Sequence, residues 1–295
     1  MDGINTLKAI AKSERKVESD PITLNVRFDG KANRANLHIL SVGINTYKNS
    51  KYNLSYASKD AQEFLKVVSK GGLTLFDQIK TYSLKDNKAT KDEIHSVFEE
   101  LISNIKPKDV FVFYYAGHGV MSTPVETAKA DFYIMTHNMT SFYDEGLLKS
   151  EGISATELLE FSKKISAQKQ LFILDACHSG GALNVLATRG ADNREKAIAQ
   201  LARNTGTFFL TASQDIQYAN ESSDLKHGLF TYAILEVLDG RSSILQIGQD
   251  KKVTVNEIKT YVEERVPELS EKYHGGAQYP TSYSFGQDFP IVLLK

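Results

Sequence analysis

The chain has a single cysteine in 295 residues, Cys177, which excludes an internal disulfide framework and any metal cluster built on cysteines. A lone thiol also fits a reducing compartment. No apolar run approaches the ~20 residues that a bilayer-crossing helix needs, and the opening stretch MDGINTLKAIAKSERK lacks the uninterrupted apolar core of a secretory signal. An excess of either charge is missing as well. Lys and Arg number 35 against 36 Asp and Glu, a net charge of −1, so no overall field draws the chain to nucleic acid or to an acidic membrane. These absences predict a soluble, cytoplasmic protein with neither nucleic acid nor a membrane as partner. A chain of this length buries roughly three quarters of its unfolded surface. The core therefore needs no disulfide or metal, and stability does not account for Cys177.

Residues 1–36 read as an N-terminal arm or linker, with a short helix over Ile4–Ala11, a charged stretch, and one strand within PITLNVRFDGKANRAN. From Leu37 the pattern changes. Short apolar runs (LHILSVGI, QIKTYSL, DVFVFYYAG, KQLFILDA, GTFFLTAS) alternate with amphipathic segments such as SKDAQEFLKVVSK, TKDEIHSVFEELISNI and ISATELLEFSKKI. That alternation of buried strand and surface helix predicts an α/β domain over 37–295, with about six strands in a mainly parallel sheet and about five helices. A polar, charged stretch near 188–204 divides it into a larger portion, 37–187, and a smaller one, 205–295.

Two of the apolar runs end in small residues beside reactive ones, DVFVFYYAGHG at His118 and KQLFILDACHSGG at Cys177. Ligands of open α/β sheets bind just past the carboxyl ends of strands. One helix between these runs, crossing over with the usual right hand, would set the two strands side by side and bring imidazole to thiol. A thiol of reference pKa ~8.5 is mostly protonated at neutral pH, and a neighbouring imidazole activates it as a nucleophile. Gly117, Gly119 and Gly180 let backbone amides approach a substrate, and the amides of Gly119 and Cys177 are the candidates for an oxyanion hole. His178 and His227 read as structural.

YYAGHG and DACHSGG resemble the paired histidine and cysteine motifs of the caspase and metacaspase superfamily, in the expected order and at about the expected separation. SVGINTYKN, LSYASKDAQEF, TASQDIQYANES, HGLFTYAILEVLDG and DFPIVLL extend the resemblance from about Leu37 to the C-terminus. It implies a caspase-like fold with helices on both faces of the sheet, and a cysteine endopeptidase using a dyad of His118 and Cys177 through a thioester acyl-enzyme. It further implies cleavage after Arg or Lys, because Asp60 in SKDAQ and Asp175 in DACHSG match the family's acidic pocket positions. Paired carboxylates hold a guanidinium and repel an acidic side chain. Ala116 stands where many metacaspases have Ser, which leaves Arg against Lys open.

Ser213 and Gln214 are assigned to an extended substrate backbone, and Arg189, Arg194, Lys196 and Arg203 offer sites of self-cleavage. Calcium activates many relatives, but Asp131, Asp144 and Glu145 are scattered here, so no metal or other cofactor is expected to be required. The partners implied are a protein or peptide substrate and an upstream sensor or activator, in a regulated signalling or bacterial defence role. Two alternatives stand beside this reading: a caspase-fold interaction module with little or no turnover, and a caspase-like protease of different P1 preference.

Overall fold

The structure, a computed structural model, describes residues 3–13, 18–28, 34–122, 131–142, 144–176, 207–212, 221–241, 250–284 and 286–294. It separates into two compact units, Met1–Arg34 and Ala35–Lys295. In the first, β1 (Gly3–Ala9) pairs antiparallel with β2 (Ile22–Phe28), from Gly3↔Phe28 to Ala9↔Ile22. The helix expected over Ile4–Ala11 is therefore mostly a strand. Its apolar spacing suits either period, and the pairing that places Leu7 opposite Leu24 decides for the strand. Leu7, Ile22, Leu24 and Val26 line one face of this hairpin and are exposed.

The second unit begins with β3 (Leu37–Gly43), α1 (Ala57–Gly72), β4 (Ile79–Lys85), α2 (Lys91–Asn104) and β5 (Val110–Ala116). It continues with the short strands β6 (Gly119–Met121) and β7 (Phe132–Ile134), then α3 (Glu145–Glu151), β8 (Ile153–Ser154), α4 (Ala155–Lys164) and β9 (Lys169–Asp175). The remainder comprises β10 (Thr207–Thr211), β11 (Glu221–Ser222), β12 (His227–Gly228), α5 (Leu229–Leu238), β13 (Lys252–Thr254), α6 (Val255–His274), β14 (Thr281–Ser284) and β15 (Pro290–Leu293). Six strands form the central sheet in the order β14-β10-β9-β5-β3-β4. All neighbours are parallel except β14, which runs antiparallel along the β10 edge.

A parallel sheet is covered on both faces, so its strands are apolar at consecutive positions. In β5, Phe111, Phe113 and Tyr115 enter one core with Ile94, Phe98 and Leu101 of α2 and Leu158 and Phe161 of α4. Val110, Val112 and Tyr114 enter the other with Phe64 and Val68 of α1, Phe230 and Ile234 of α5, and Ile258 and Val262 of α6. Polar residues fix where the helices begin. Thr90 accepts from Glu93 N at the start of α2, and Ser154 with Glu157 and Thr254 with Glu257 form capping boxes on α4 and α6.

Phe98 is fully buried and stacks on Phe161 with ring centroids 4.2 Å apart, joining α2 to α4 over β5. Phe98→Ala is expected to lower unfolding stability by about 3–5 kcal/mol, measured by denaturant titration, because the two helices cannot both close on the void.

Candidate active site

His118 follows the end of β5 and is gripped through its backbone. Its N–H donates to Tyr47 Oη at 2.9 Å, and its carbonyl accepts from Tyr115 Oη at 2.7 Å and from Met135 N at 2.9 Å. Gly117 leaves the room this needs. A Cβ there would lie 2.5 Å from Tyr115 Oη and 2.9 Å from Tyr47 Oη. The imidazole Nε2 lies 2.9 Å from the carbonyl oxygen of Tyr52. A carbonyl can only accept, so Nε2 carries the hydrogen and Nδ1 carries the lone pair. The rings of Tyr47 and Phe142 stand 5.2 and 5.1 Å from the imidazole, and Tyr52 stacks on Phe142. Burial in this aromatic wall pushes the His118 pKa below its ordinary value, opposed in part by the Tyr52 carbonyl. The neutral form, which a general base requires, is favoured.

β5 and β9 are adjacent and parallel, paired up to Ala116↔Asp175, and Gly117 N donates to Asp175 O at 3.1 Å. His118 lies two residues past the last pair on one strand, and Cys177 lies two residues past it in the sequence of the other. The connection between these strands holds β6, β7, α3 and β8 besides the single helix expected from the sequence. Cys177, its amide, Ser213, Gln214, the segment 188–204 with Arg189, Arg194, Lys196 and Arg203, and also Gly180 and His178, lie outside the described residues. Gly119 opens β6 opposite Ile134. Because Met135 N bonds the carbonyl of His118, the Gly119–Ile134 pair is of the non-hydrogen-bonded kind, and the Gly119 N–H points away from β7.

Asp60 and Asp175 are brought together. Asp60, in the first turn of α1, accepts from Gly228 N through Oδ2 at 2.8 Å and meets His227 Nδ1 through Oδ1 at 2.5 Å. Asp175, the last residue of β9, accepts from Thr231 Oγ1 through Oδ2 at 2.5 Å. That commits the only hydroxyl proton of Thr231, so the Tyr114 hydroxyl, 2.5 Å from Thr231 Oγ1, must be the donor in the next bond. A Cβ on Gly228 would stand 2.8 Å from Asp175 Oδ2 and 3.3 Å from Asp60 Oδ2. Only glycine leaves the space between the two acids open.

The acids are 2% and 7% exposed. Burial raises the pKa of Asp60, with His227 and Gly228 opposing. Burial also pushes Asp175 up to about 7, reinforced by the charges of Asp60 and then Glu221, with Thr231 opposing. The Tyr114 phenol is driven up by burial first and by both acids next. Two like charges held in a low dielectric favour a guest of opposite sign.

α1 has no side-chain cap of its own at Tyr56. Glu221 of β11 supplies one from far along the chain, accepting from Ser55 N at 3.0 Å and Tyr56 N at 2.8 Å. The segment running from Tyr52 to Asp60 is thereby anchored at its centre. Asp144 caps α3 and Asp131 accepts from Phe132 N and Thr156 Oγ1, so neither acid shares a site with the other. Among the described residues no group of three or more His, Cys, Asp or Glu is placed to hold a metal ion, and no helix is long and apolar enough to cross a membrane.

A family model described as the caspase domain, of peptidase class C14, matches residues 38–289. The chain belongs to the caspase-domain family. This caspase domain is 27% identical over 165 residues to metacaspase-2 of Trypanosoma brucei brucei, a match covering 54% of the chain and 46% of that protein. Metacaspase-3 of the same organism is 27% identical, with 54% and 44% covered. The match thus spans under half the length of these relatives. The caspase fold also aligns with the crystal structure of protein GSU0716 from Geobacter sulfurreducens, with a TM-score of 0.56 and 16% identity, covering 85% of this chain and 94% of that one. Its sheet of six mostly parallel strands between helical layers is the architecture expected of a caspase-like fold.

Three contributors to the site escape sequence reading. Tyr52 acts through a backbone carbonyl, which has no side-chain signature. His227 reads as the start of a helix but faces Asp60, and Glu221 lies far from the helix it caps.

The raised pKa of Asp175 fixes a stability signature. The folded carboxyl, at about 7, holds a proton that the unfolded one, at its ordinary 3.8, has released. Stability is accordingly lost as pH rises between these values, and the penalty is complete above about 7. Asp175→Asn, which keeps an acceptor for Thr231, is expected to match the parent protein near pH 4 and exceed it at pH 8 by up to about 4 kcal/mol, at about 1.4 kcal/mol per pKa unit. Thermal unfolding across that range checks it, and an unchanged difference would remove the buried-anion account.

Proposed function

We propose that this caspase domain is a cysteine endopeptidase that cleaves after Arg or Lys. The observation that supports the basic preference is the convergence of two buried carboxylates, Asp60 and Asp175, on the bare Cα of Gly228. One of them ends the strand that leads to Cys177. A P1 guanidinium or ammonium entering there neutralises charge that burial has made costly, whereas an acidic side chain adds to it.

In this reading Nδ1 of His118 takes the proton from the Cys177 thiol, since Nε2–H is already given to Tyr52. The thiolate attacks the scissile carbonyl, and the amides of Gly119 and Cys177 receive the oxyanion. The protonated His118 then returns its proton to the leaving amine. Water, deprotonated by the same Nδ1, hydrolyses the thioester. Ser213 and Gln214 align the peptide backbone. No metal takes part in any step, and the expected partners are a protein substrate and an upstream activator, in a regulated signalling or defence role.

Matched peptides bearing Arg, Lys or Asp at P1 test this, with Cys177→Ala as control and with calcium either present or chelated. Cleavage after Arg or Lys that is lost in Cys177→Ala and unaffected by chelation is expected. Cleavage confined to Asp would overturn the pocket, and activity only with calcium would overturn the metal-free mechanism. The pH dependence is specific too. As pH falls through about 7, Asp175 takes up a proton and the pocket loses half its charge, so KM for the Arg peptide rises while KM for a peptide with a neutral P1 side chain stays flat.

A further inference from the structure

We infer that His227 is a positioning residue for Asp60, and that it sets the affinity of the pocket for a basic P1 side chain. The inference rests on the acid-pocket reading above and adds to it a residue outside the acid pair.

The geometry is built from one dipeptide. His227 and Gly228 form β12, paired with β11, and the helix α5 begins directly after them. Both present a donor to the same carboxylate, Gly228 through its backbone N–H to Oδ2 and His227 through Nδ1 to Oδ1. Two bonds on two different oxygens fix the rotation of a carboxylate about its Cβ–Cγ bond, which one bond alone leaves free. Fixed in this way, Oδ2 of Asp60 stays on the side of Gly228 where Oδ2 of Asp175 also lies.

The far side of the imidazole is equally defined. Nε2 of His227 lies 3.4 Å from Lys59 Nζ and 3.4 Å from Glu63 Oε2, while Lys59 is tied to the carbonyl of Lys226 at 3.0 Å. Residues 59, 60 and 63 all belong to the first turns of α1, so the ring is clamped to one helix through both nitrogens. Tyr232 borders it from α5, with centroids 6.0 Å apart. The side chain is 10% exposed and has little freedom to leave Asp60.

The test uses benzamidine, a small amidinium probe, and the Cys177→Ala protein, so that binding is read without turnover. Calorimetry should show that His227→Phe, which keeps the bulk and removes the donor, weakens benzamidine roughly 10- to 100-fold, the range for losing a hydrogen bond to a charged group. His227→Asn, whose amide can place an N–H near the position of Nδ1, should stay within about threefold of the parent, as expected when the single donor is what counts. In active enzyme, the Phe substitution should raise KM for the Arg peptide and leave kcat nearly unchanged. Should the Phe variant fail to fold, nitrogen-15 resonances of the imidazoles in the Cys177→Ala protein, assigned with His227→Asn, supply the readout. Benzamidine should shift those of His227.

Equal binding by parent and Phe variant, equal weakening by Phe and Asn, or a His227 resonance that ignores benzamidine would each overturn the inference. The two levels separate cleanly. Benzamidine binding that Asp175→Asn abolishes but His227→Phe leaves intact removes the role of His227 and keeps the pocket. An absence of binding to the parent removes both.

Discussion

The parallel pairing of β5 with β9 is the constraint on which the rest of the site depends. Their register, Ala116 beside Asp175, brings both strands to an end at the same level. Sequence that follows either strand is directed to one edge of the sheet, where loops of α/β folds supply the chemistry. Tyr47 and Tyr52 come from the loop after β3, which is the next strand over. Three neighbouring strand ends thus furnish a histidine, the carbonyl that orients it and an acid. Each depends on the others being held by the same ladder of backbone bonds.

The acid pair illustrates how a fold tolerates a local cost. Asp175 and Asp60 are as buried as many core residues, yet each is a group whose charged form burial disfavours. The surrounding structure limits that cost without eliminating it. Tyr114 and Thr231 deliver a directed chain of hydroxyls to one acid, and the start of α5 delivers donors to the other. Such sites reduce stability, and they stand out against cores that otherwise contain stacked aromatics such as Phe64 on Tyr114 and Phe172 on Phe209.

The central sheet was legible because its strands are apolar on consecutive positions and its helices are amphipathic, two periods that are hard to confuse over seven or more residues. Asp60 and Asp175 could be named from motif positions, but their meeting at Gly228 depends on α5, whose sequence announces only a buried helix. The arm was misread because Ile4–Ala11 carries too few apolar residues to separate the two periods; its partner strand, not its own pattern, determines its shape. Tyr52 was invisible for a different reason, since any residue offers a carbonyl. His227 was visible and discounted, because a histidine before an apolar helix is ordinarily only a boundary.

The sheet is also interleaved. β10 is inserted between β9 and β14, while α5 and α6 complete the core that α1 begins. Val292 of β15 packs against the end of α1 at Gly71, and Glu221 and Gly228 bond to its beginning. A backbone cut between Ala176 and Thr207 would break one covalent link and none of these contacts. The two pieces would remain joined as complementary fragments, separable only by unfolding, so a nick in that span changes the connectivity of the chain without changing its composition.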